Sequence, residues 1–276
     1  MLALFLLIIP ELKRGEMKQI QISLKAMSLR QHFIYWLFPL LFICSLALAY
    51  FTGPRWLQNI VAPPINREFG LQENLEHLLI LFIVLFSFLL FAREKKTFMK
   101  FIFLICFAGA AFLFLEEIDY GYHFINYYKG ISPVQDTVIH NYHNREKPTI
   151  NRMMKLCYII MAVAFVILPY IKKEKLPTWL QQLAPSSRLQ FTVFILPLVG
   201  RFPLVLHNMN FVTNGSLDSN LSEFEEMGIY YIFLLYFIEM YIKVRVISRA
   251  SYINEITAPD AEYLQSTKAG QTGIEY

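Results

Sequence analysis

The residues 115–123 contain the densest group of reactive side chains in the chain. Their sequence, Leu-Glu-Glu-Ile-Asp-Tyr-Gly-Tyr-His, holds three carboxylates and an imidazole. On a continuous helix Glu116, Asp119 and His123 would share one face, since side chains three, four and seven residues apart line up. Such a face can bind a divalent ion or form an acid–base pair. We therefore predict catalytic roles for Glu116, Glu117 and Asp119. The alternative is that these groups cap the helix and hydrogen-bond to neighbouring helices.

Two further histidines follow in the segment 133–152. His140 and His143 are three residues apart, so a local helix would place both imidazoles on one side. Together with His123, they are the predicted ligands of a divalent metal ion, with zinc the first candidate. Exposed loop histidines that bind no metal are the alternative interpretation.

One arginine lies inside an apolar block, where an unpaired charge costs several kcal/mol. We predict that Arg201 pairs with Glu116 or Glu117, or binds an anionic headgroup or phosphate. His207 follows at the membrane boundary, and Arg201 and His207 are the predicted substrate-binding residues. An internal ion pair without a binding role is the alternative.

The composition defines the elements that must position these groups. The chain has 276 residues, of which 56% are hydrophobic and only 17% are charged. Soluble domains are closer to a quarter charged, so an ordinary cytosolic enzyme, a disordered chain and a disulfide scaffold are excluded. The apolar residues form blocks of the length that crosses a bilayer. The six predicted spans are residues 33–51, 75–92, 101–117, 154–171, 189–207 and 226–246. The sequence thus predicts an all-α, multi-pass transmembrane bundle.

The lysines and arginines predict the orientation of the bundle. Of 25 such residues, 17 fall on the side that carries both termini, seven fall on the other side and Arg201 lies within a span. The richer side is expected in the cytoplasm. We therefore predict a bacterial inner-membrane protein with an extracytoplasmic polar site. Residues 1–32 are expected to form an interfacial amphipathic segment, 33–247 the membrane domain and 248–276 a cytoplasmic tail.

The segment 116–123, Glu-Glu-Ile-Asp-Tyr-Gly-Tyr-His, resembles the EEISWGQR element of a group of uncharacterised bacterial multi-pass membrane proteins. Those proteins also carry a downstream NLHN element, which residues 141–144, Asn-Tyr-His-Asn, approximate. The resemblance covers about 30 residues. It implies a multi-pass membrane protein and no particular activity.

The chain is also similar, more loosely, to the alkaline ceramidase-type transmembrane hydrolases, which hold zinc with histidines and an aspartate between helices. That similarity implies a zinc-dependent hydrolase. This chain lacks the Ser-x-x-x-His and His-x-x-x-His spacings of that family, because His140 and His143 are one residue closer together.

Two functions follow from these observations. The first is a metal-dependent hydrolase that acts on a lipid or lipid-linked substrate, with the metal activating a water molecule. The second is a non-catalytic membrane subunit or scaffold that binds other membrane proteins. A transporter is disfavoured, because the polar residues gather at one face and the spans show no inverted repeat. A nucleic-acid partner is not expected, since the basic residues lie where anionic lipid is the simpler partner.

Overall fold

The computed structural model describes residues 28–131, 175–211 and 221–245, together with isolated positions between these ranges. Every regular element in the described part of the chain is a helix, which confirms the all-α prediction for that part. Five helical segments are long and apolar enough to cross a membrane, as expected of an integral membrane protein. The predicted span at 154–171 falls largely outside the described ranges, and the count of six spans and the cytoplasmic termini remain predictions.

The helices are numbered here in chain order. They are α1 (Leu29–Thr52), α2 (Arg55–Val61), α3 (Leu71–Arg93), α4 (Thr97–Glu117), α5 (Tyr122–Tyr128), α6 (Thr178–Leu183), α7 (Ser187–Val199), α8 (Phe202–Asn208) and α9 (Glu223–Arg245). The five candidate spans are α1, α3, α4, the pair α7–α8 and α9.

Helix α1 contains a wide turn that is caused by a proline. Pro39 has no N–H to donate, and the helix over Phe33–Leu37 opens to a π-type turn in which the N–H of Phe38 donates to the carbonyl of Phe33. Tyr35 lies in this turn, and its hydroxyl donates a hydrogen bond to Glu239 of α9. The irregular turn therefore places a polar side chain against another helix.

Helix α9 lies at the centre of the described bundle. Phe224 and Ile232 are fully buried in a cluster that also includes residues of α1 and α7. Phe237 and Met240 belong to a second cluster with residues of α3 and α4. Burial of apolar side chains on two sides of one helix fixes both ends of α9 relative to its neighbours.

Helix α4 turns most of its apolar side chains outward. Phe101, Ile105 and Phe112 are more than half exposed, whereas Met99 and Phe103 are buried. A helix with so large an exposed apolar surface would be unfavourable in water, but it suits a lipid environment. The three residues between α3 and α4 form a tight turn in which the N–H of Lys96 donates to Glu94 at 2.9 Å.

The segment α7–α8 bends next to α9. Pro197 lies in the last turn of α7, and Gly200 and Arg201 separate α7 from α8. A β-carbon built at Gly200 would lie 2.6 Å from the Cα of Glu225. Only glycine allows the two backbones to approach this closely.

We predict that Gly200→Ala lowers the thermal unfolding temperature of the purified protein in detergent, because the added methyl group must push α9 away. Overpacking of this kind costs about 1–3 kcal/mol. Gly109→Ala is the matched control, since Gly109 is also within a transmembrane helix and its β-carbon would meet no atom within 4 Å. Equal unfolding temperatures for the two variants would contradict the prediction.

Candidate functional site

The site begins at the short turn Arg67–Phe69 between α2 and α3. Asn66 has a left-handed backbone (φ 58°), and the N–H of Gly70 donates to the carbonyl of Arg67 at 2.7 Å. A β-carbon at Gly70 would lie 2.6 Å from the carbonyl oxygen of Val61, so the turn packs directly on α2. This compact turn holds Arg67 beside the first turn of α3.

Arg67 contacts acids from two helices. Its Nε lies 3.0 Å from Oε1 of Glu73 on α3, and one terminal nitrogen lies 3.6 Å from Oε1 of Glu223 on α9. Burial alone would lower the pKa of Arg67, but Glu73 and Glu223 outweigh it and raise the pKa above the ordinary value. The guanidinium therefore stays charged and joins the start of α3 to the start of α9.

Glu76 completes a group of three carboxylates with Glu73 and Glu223. One oxygen from each of the three lies within 4.8 Å of the other two. Glu73 and Glu76 are one helical turn apart on α3, which places them on the same face. Glu73 is 4% and Glu76 is 1% exposed. The side chain of Glu223 is partly buried, at 13% exposure.

Two buried oxygens, one on Glu76 and one on the neighbouring Gln72, have no hydrogen-bond partner. Nε2 of Gln72 donates to Oε1 of Glu76 at 3.4 Å, but Oε2 of Glu76 and Oε1 of Gln72 have no hydrogen-bond partner. Gln72 is fully buried. Buried acceptors are almost always paired in proteins. These oxygens could therefore accept a further hydrogen bond or contact a cation.

The group also has an excess of negative charge. Arg67 supplies one positive charge to Glu73, Glu76 and Glu223, so three ionised carboxylates would leave a net charge of −2. A buried net charge of this size is strongly unfavourable unless it is compensated. Protons or a cation must therefore neutralise the group.

Glu117 of α4 lies next to this group. Its Oε1 accepts a hydrogen bond of 2.8 Å from the hydroxyl of Tyr230 on α9, and its carbonyl oxygen lies 3.2 Å from Nε2 of His77. The ring of His77 is nearly parallel to the ring of His123, with centroids 6.2 Å apart. Helices α3, α4 and α9 thus all contribute polar groups to one end of the bundle.

The helix predicted to continue to His123 ends at Glu117. Asp119, Tyr120 and Gly121 all have positive φ, so the helix is interrupted before α5 begins. Asp119 and His123 consequently do not continue the face of α4. Glu116 is buried, and it accepts a hydrogen bond from the hydroxyl of Tyr120, which raises the pKa of that tyrosine.

His123 is partly buried at this end of the bundle. Its ring contacts Phe69 and Phe124, with centroid distances of 5.8 and 4.1 Å, and its Nε2 has no hydrogen-bond partner. Burial lowers the pKa of His123, because the charged imidazolium loses its hydration. The neutral form is therefore favoured near pH 7.

Arg201 pairs with an acid other than the expected ones. Its Nε lies 2.7 Å from Oε2 of Glu225, because the contact at Gly200 brings the start of α9 alongside. The expected pairing with Glu116 or Glu117 is therefore wrong. His207 lies in the last turn of α8. The predicted ligands His140 and His143 lie outside the described residues.

Sequence reasoning missed Arg67 and Gln72 and gave Glu73 no role in a site. A usable signal was present on α3, where Gln72 and Glu76 are four residues apart and Glu73 and Glu76 are three apart, directly ahead of an apolar block. These spacings predict one polar face at the helix start. Arg67 gives no such signal, because its contacts depend on the turn.

Comparison with known proteins adds no relative. The chain matches no protein-family model, no curated protein and no solved structure.

We predict that His123 titrates below the ordinary histidine pKa of about 6.5. As the pH falls through that value, the unfolded chain takes up a proton at this position before the folded protein does. The contribution of His123 to the free energy of unfolding therefore decreases toward acid pH. The measurement is an NMR titration of histidine ring protons in detergent micelles, with His123→Phe identifying the resonance. A midpoint at or above 6.5 would refute the prediction.

Proposed function

We propose that this protein binds a divalent cation at Glu73, Glu76 and Glu223, at one end of a membrane-embedded helical bundle. The observation that carries the proposal is the convergence of three carboxylate oxygens within 4.8 Å of one another. Arg67 compensates only part of their charge, and Oε2 of Glu76 has no donor. A divalent cation would neutralise the remaining charge and pair with the free oxygens.

The donor chemistry favours a hard cation. Carboxylate and carbonyl oxygens suit Mg²⁺, Mn²⁺ and Ca²⁺, whereas zinc sites usually include imidazole or thiolate. Oxygens on opposite sides of Ca²⁺ lie about 5 Å apart, and those around Mg²⁺ lie closer. The observed spacing is compatible with both after small side-chain movements. The zinc predicted from sequence would require His140 and His143 to approach this end.

We further propose that the bound cation serves a hydrolase that acts on a lipid or lipid-linked substrate. A metal ion lowers the pKa of a bound water and supplies a nucleophile near neutral pH. The imidazole of His123 lies at the same end of the bundle and would accept a proton from that water, because burial favours its neutral form and its Nε2 has no hydrogen-bond partner. The apolar helices that carry the site favour a substrate delivered by the membrane. Of the predicted catalytic residues, Glu117 is the one whose carbonyl contacts His77.

A specific observation favours a second candidate, a non-catalytic subunit that docks on another membrane protein. Helix α5 and the turn before it expose a band of aromatic side chains, with Tyr127 at 56% and Tyr128 at 86% exposure. Aromatic side chains are enriched in protein interfaces and at membrane boundaries. In this function the carboxylates would hold protons and serve only as a network between helices.

We predict that Mn²⁺ or Ca²⁺ raises the unfolding temperature of the purified protein and that Glu76→Gln abolishes this effect. A ligand present at 100 times its dissociation constant stabilises a protein by about 2.7 kcal/mol. Without metal, Glu76→Gln should be as stable as the wild type or more so, since it removes one of three repelling charges. Binding of each ion, zinc included, is measured by calorimetry after removal of bound metal with a chelator.

Glu68→Gln is the matched control. Glu68 lies next to Arg67 and carries the same negative charge as Glu76. It is not among the three converging carboxylates. This variant should keep at least about half of the thermal shift. Equal loss in both variants would show a nonspecific charge effect. No shift with any ion, together with copurification of a stoichiometric partner, would favour the non-catalytic subunit.

A further inference from the structure

A cavity of about 980 Å³ lies at the opposite end of the bundle from the carboxylates. Its walls include the wide turn of α1, the α3–α4 turn with the start of α4, the segment from α6 to the start of α7, and the last turns of α9. Because α3 and α9 both begin at the carboxylate end, these parts of the chain belong to the other end. The cavity is therefore separate from the proposed metal site.

Basic side chains dominate the polar part of this cavity. Lys95 and Lys96 come from the α3–α4 turn, Arg188 from the start of α7 and Lys243 from the last turns of α9. Lys95, Lys96 and Arg188 are exposed, so the cavity is open to its surroundings. Positive charge from three separate segments converges on one space.

The carboxylates in the wall cancel only part of this charge. Glu239 is already engaged, because its oxygens accept hydrogen bonds from the hydroxyl of Tyr35, from the hydroxyl of Ser186 at 2.6 Å and from the N–H of Ser186 at 3.3 Å. Glu94 accepts a hydrogen bond from the N–H of Lys96. Among the described residues that line the cavity, four basic side chains and two acids give a net charge of +2.

The remaining wall is apolar. Met99, Phe103 and Met240 are almost fully buried and line the cavity, together with Leu168 and Val244. A ligand that fits both parts needs an anionic head and an apolar body. A volume near 1,000 Å³ can hold the head of a phospholipid and the first part of its acyl chains, and it is at the upper end of the range of small-molecule sites.

We propose that this cavity binds an anionic phospholipid through its phosphate-bearing headgroup. Lys95, Lys96 and Arg188 contact the phosphate, with the guanidinium offering a fork of donors that matches its oxygens. The acyl chains follow the apolar wall toward the bilayer. Anionic lipid is abundant on the cytoplasmic side of membranes, where the distribution of lysine and arginine places this end of the chain.

The first experiment compares lipids on the full-length protein in detergent. Phosphatidylglycerol is titrated against phosphatidylcholine, and bound lipid is measured by native mass spectrometry while the unfolding temperature is followed. We expect retention of phosphatidylglycerol but not phosphatidylcholine, and a rise in unfolding temperature with phosphatidylglycerol only. Equal binding of both lipids would overturn the proposal.

The second experiment tests the residues. The double variant Lys95→Gln/Lys96→Gln should bind phosphatidylglycerol about tenfold more weakly. Its substitutions lie in an exposed turn, so folding is expected to persist. Arg188→Gln should show the same loss. Lys100→Gln is the matched control, because Lys100 is exposed at the same end and lies over the ring of Phe91, outside the cavity. If Lys100→Gln weakened phosphatidylglycerol binding equally, the effect would come from general surface charge, and the proposed site would be refuted.

A third arm separates lipid from soluble phosphate. Inorganic phosphate and glycerol 3-phosphate are added at millimolar concentration to protein loaded with phosphatidylglycerol. Retention of the lipid supports a lipid site. Complete displacement by either soluble anion would overturn the assignment to lipid in favour of a soluble phosphate compound. Glu76→Gln should leave lipid binding unchanged. The lipid proposal and the metal proposal can therefore be contradicted independently of each other.

Discussion

The cost of placing charge in apolar surroundings is the constraint on which this architecture depends. Arg67 is the clearest case, because one guanidinium contacts Glu73 at the start of α3 and Glu223 at the start of α9. Removal of that cation would leave buried carboxylates with no positive partner, which is far costlier than loss of a surface ion pair. The same contact joins the start of α3 to the start of α9. Stability and the candidate site therefore share one interaction.

The carboxylates near the two ends of α9 are compensated in different ways. Near one end, Glu239 has three donors from Tyr35 and Ser186, and it needs nothing further. Near the other end, Glu223 shares a single arginine with Glu73, and the adjacent Glu76 keeps an oxygen without a partner. If the carboxylates at both ends had only a structural role, we would expect hydrogen-bond donors to compensate them equally. This asymmetry supports the proposal that a cation binds at the Glu76 end.

The helices could be predicted from sequence, because their apolar pattern is local. The parts of the site that depend on turns could not. The apolar blocks predicted the helices near 33–51, 75–92 and 101–117 to within a few residues. The left-handed turn at Asp119–Gly121 ends α4 early, and Gly121 was its only sequence cue. Arg201 pairs with Glu225 because of close packing at Gly200, and that contact joins residues from different helices. Pairings of this kind follow from tertiary packing, which a single sequence does not display.

Helix dipoles favour the positions of some of these acids and disfavour those of others. The amino-terminal end of a helix favours negative charge, and Glu73 and Glu223 both lie in the first turn of their helices. Glu117 lies at the unfavourable carboxyl-terminal end of α4, and the hydroxyl of Tyr230 compensates it.

Arg188 has the reverse problem, because its positive charge lies in the first turn of α7. The dipole of α7 disfavours a cation there, and Glu239, which lines the same cavity, already accepts two hydrogen bonds from Ser186. An external anion would pair with the guanidinium and would itself be favoured at the amino-terminal end of α7. The electrostatics of this end therefore favour an added anion, just as those of the other end favour an added cation.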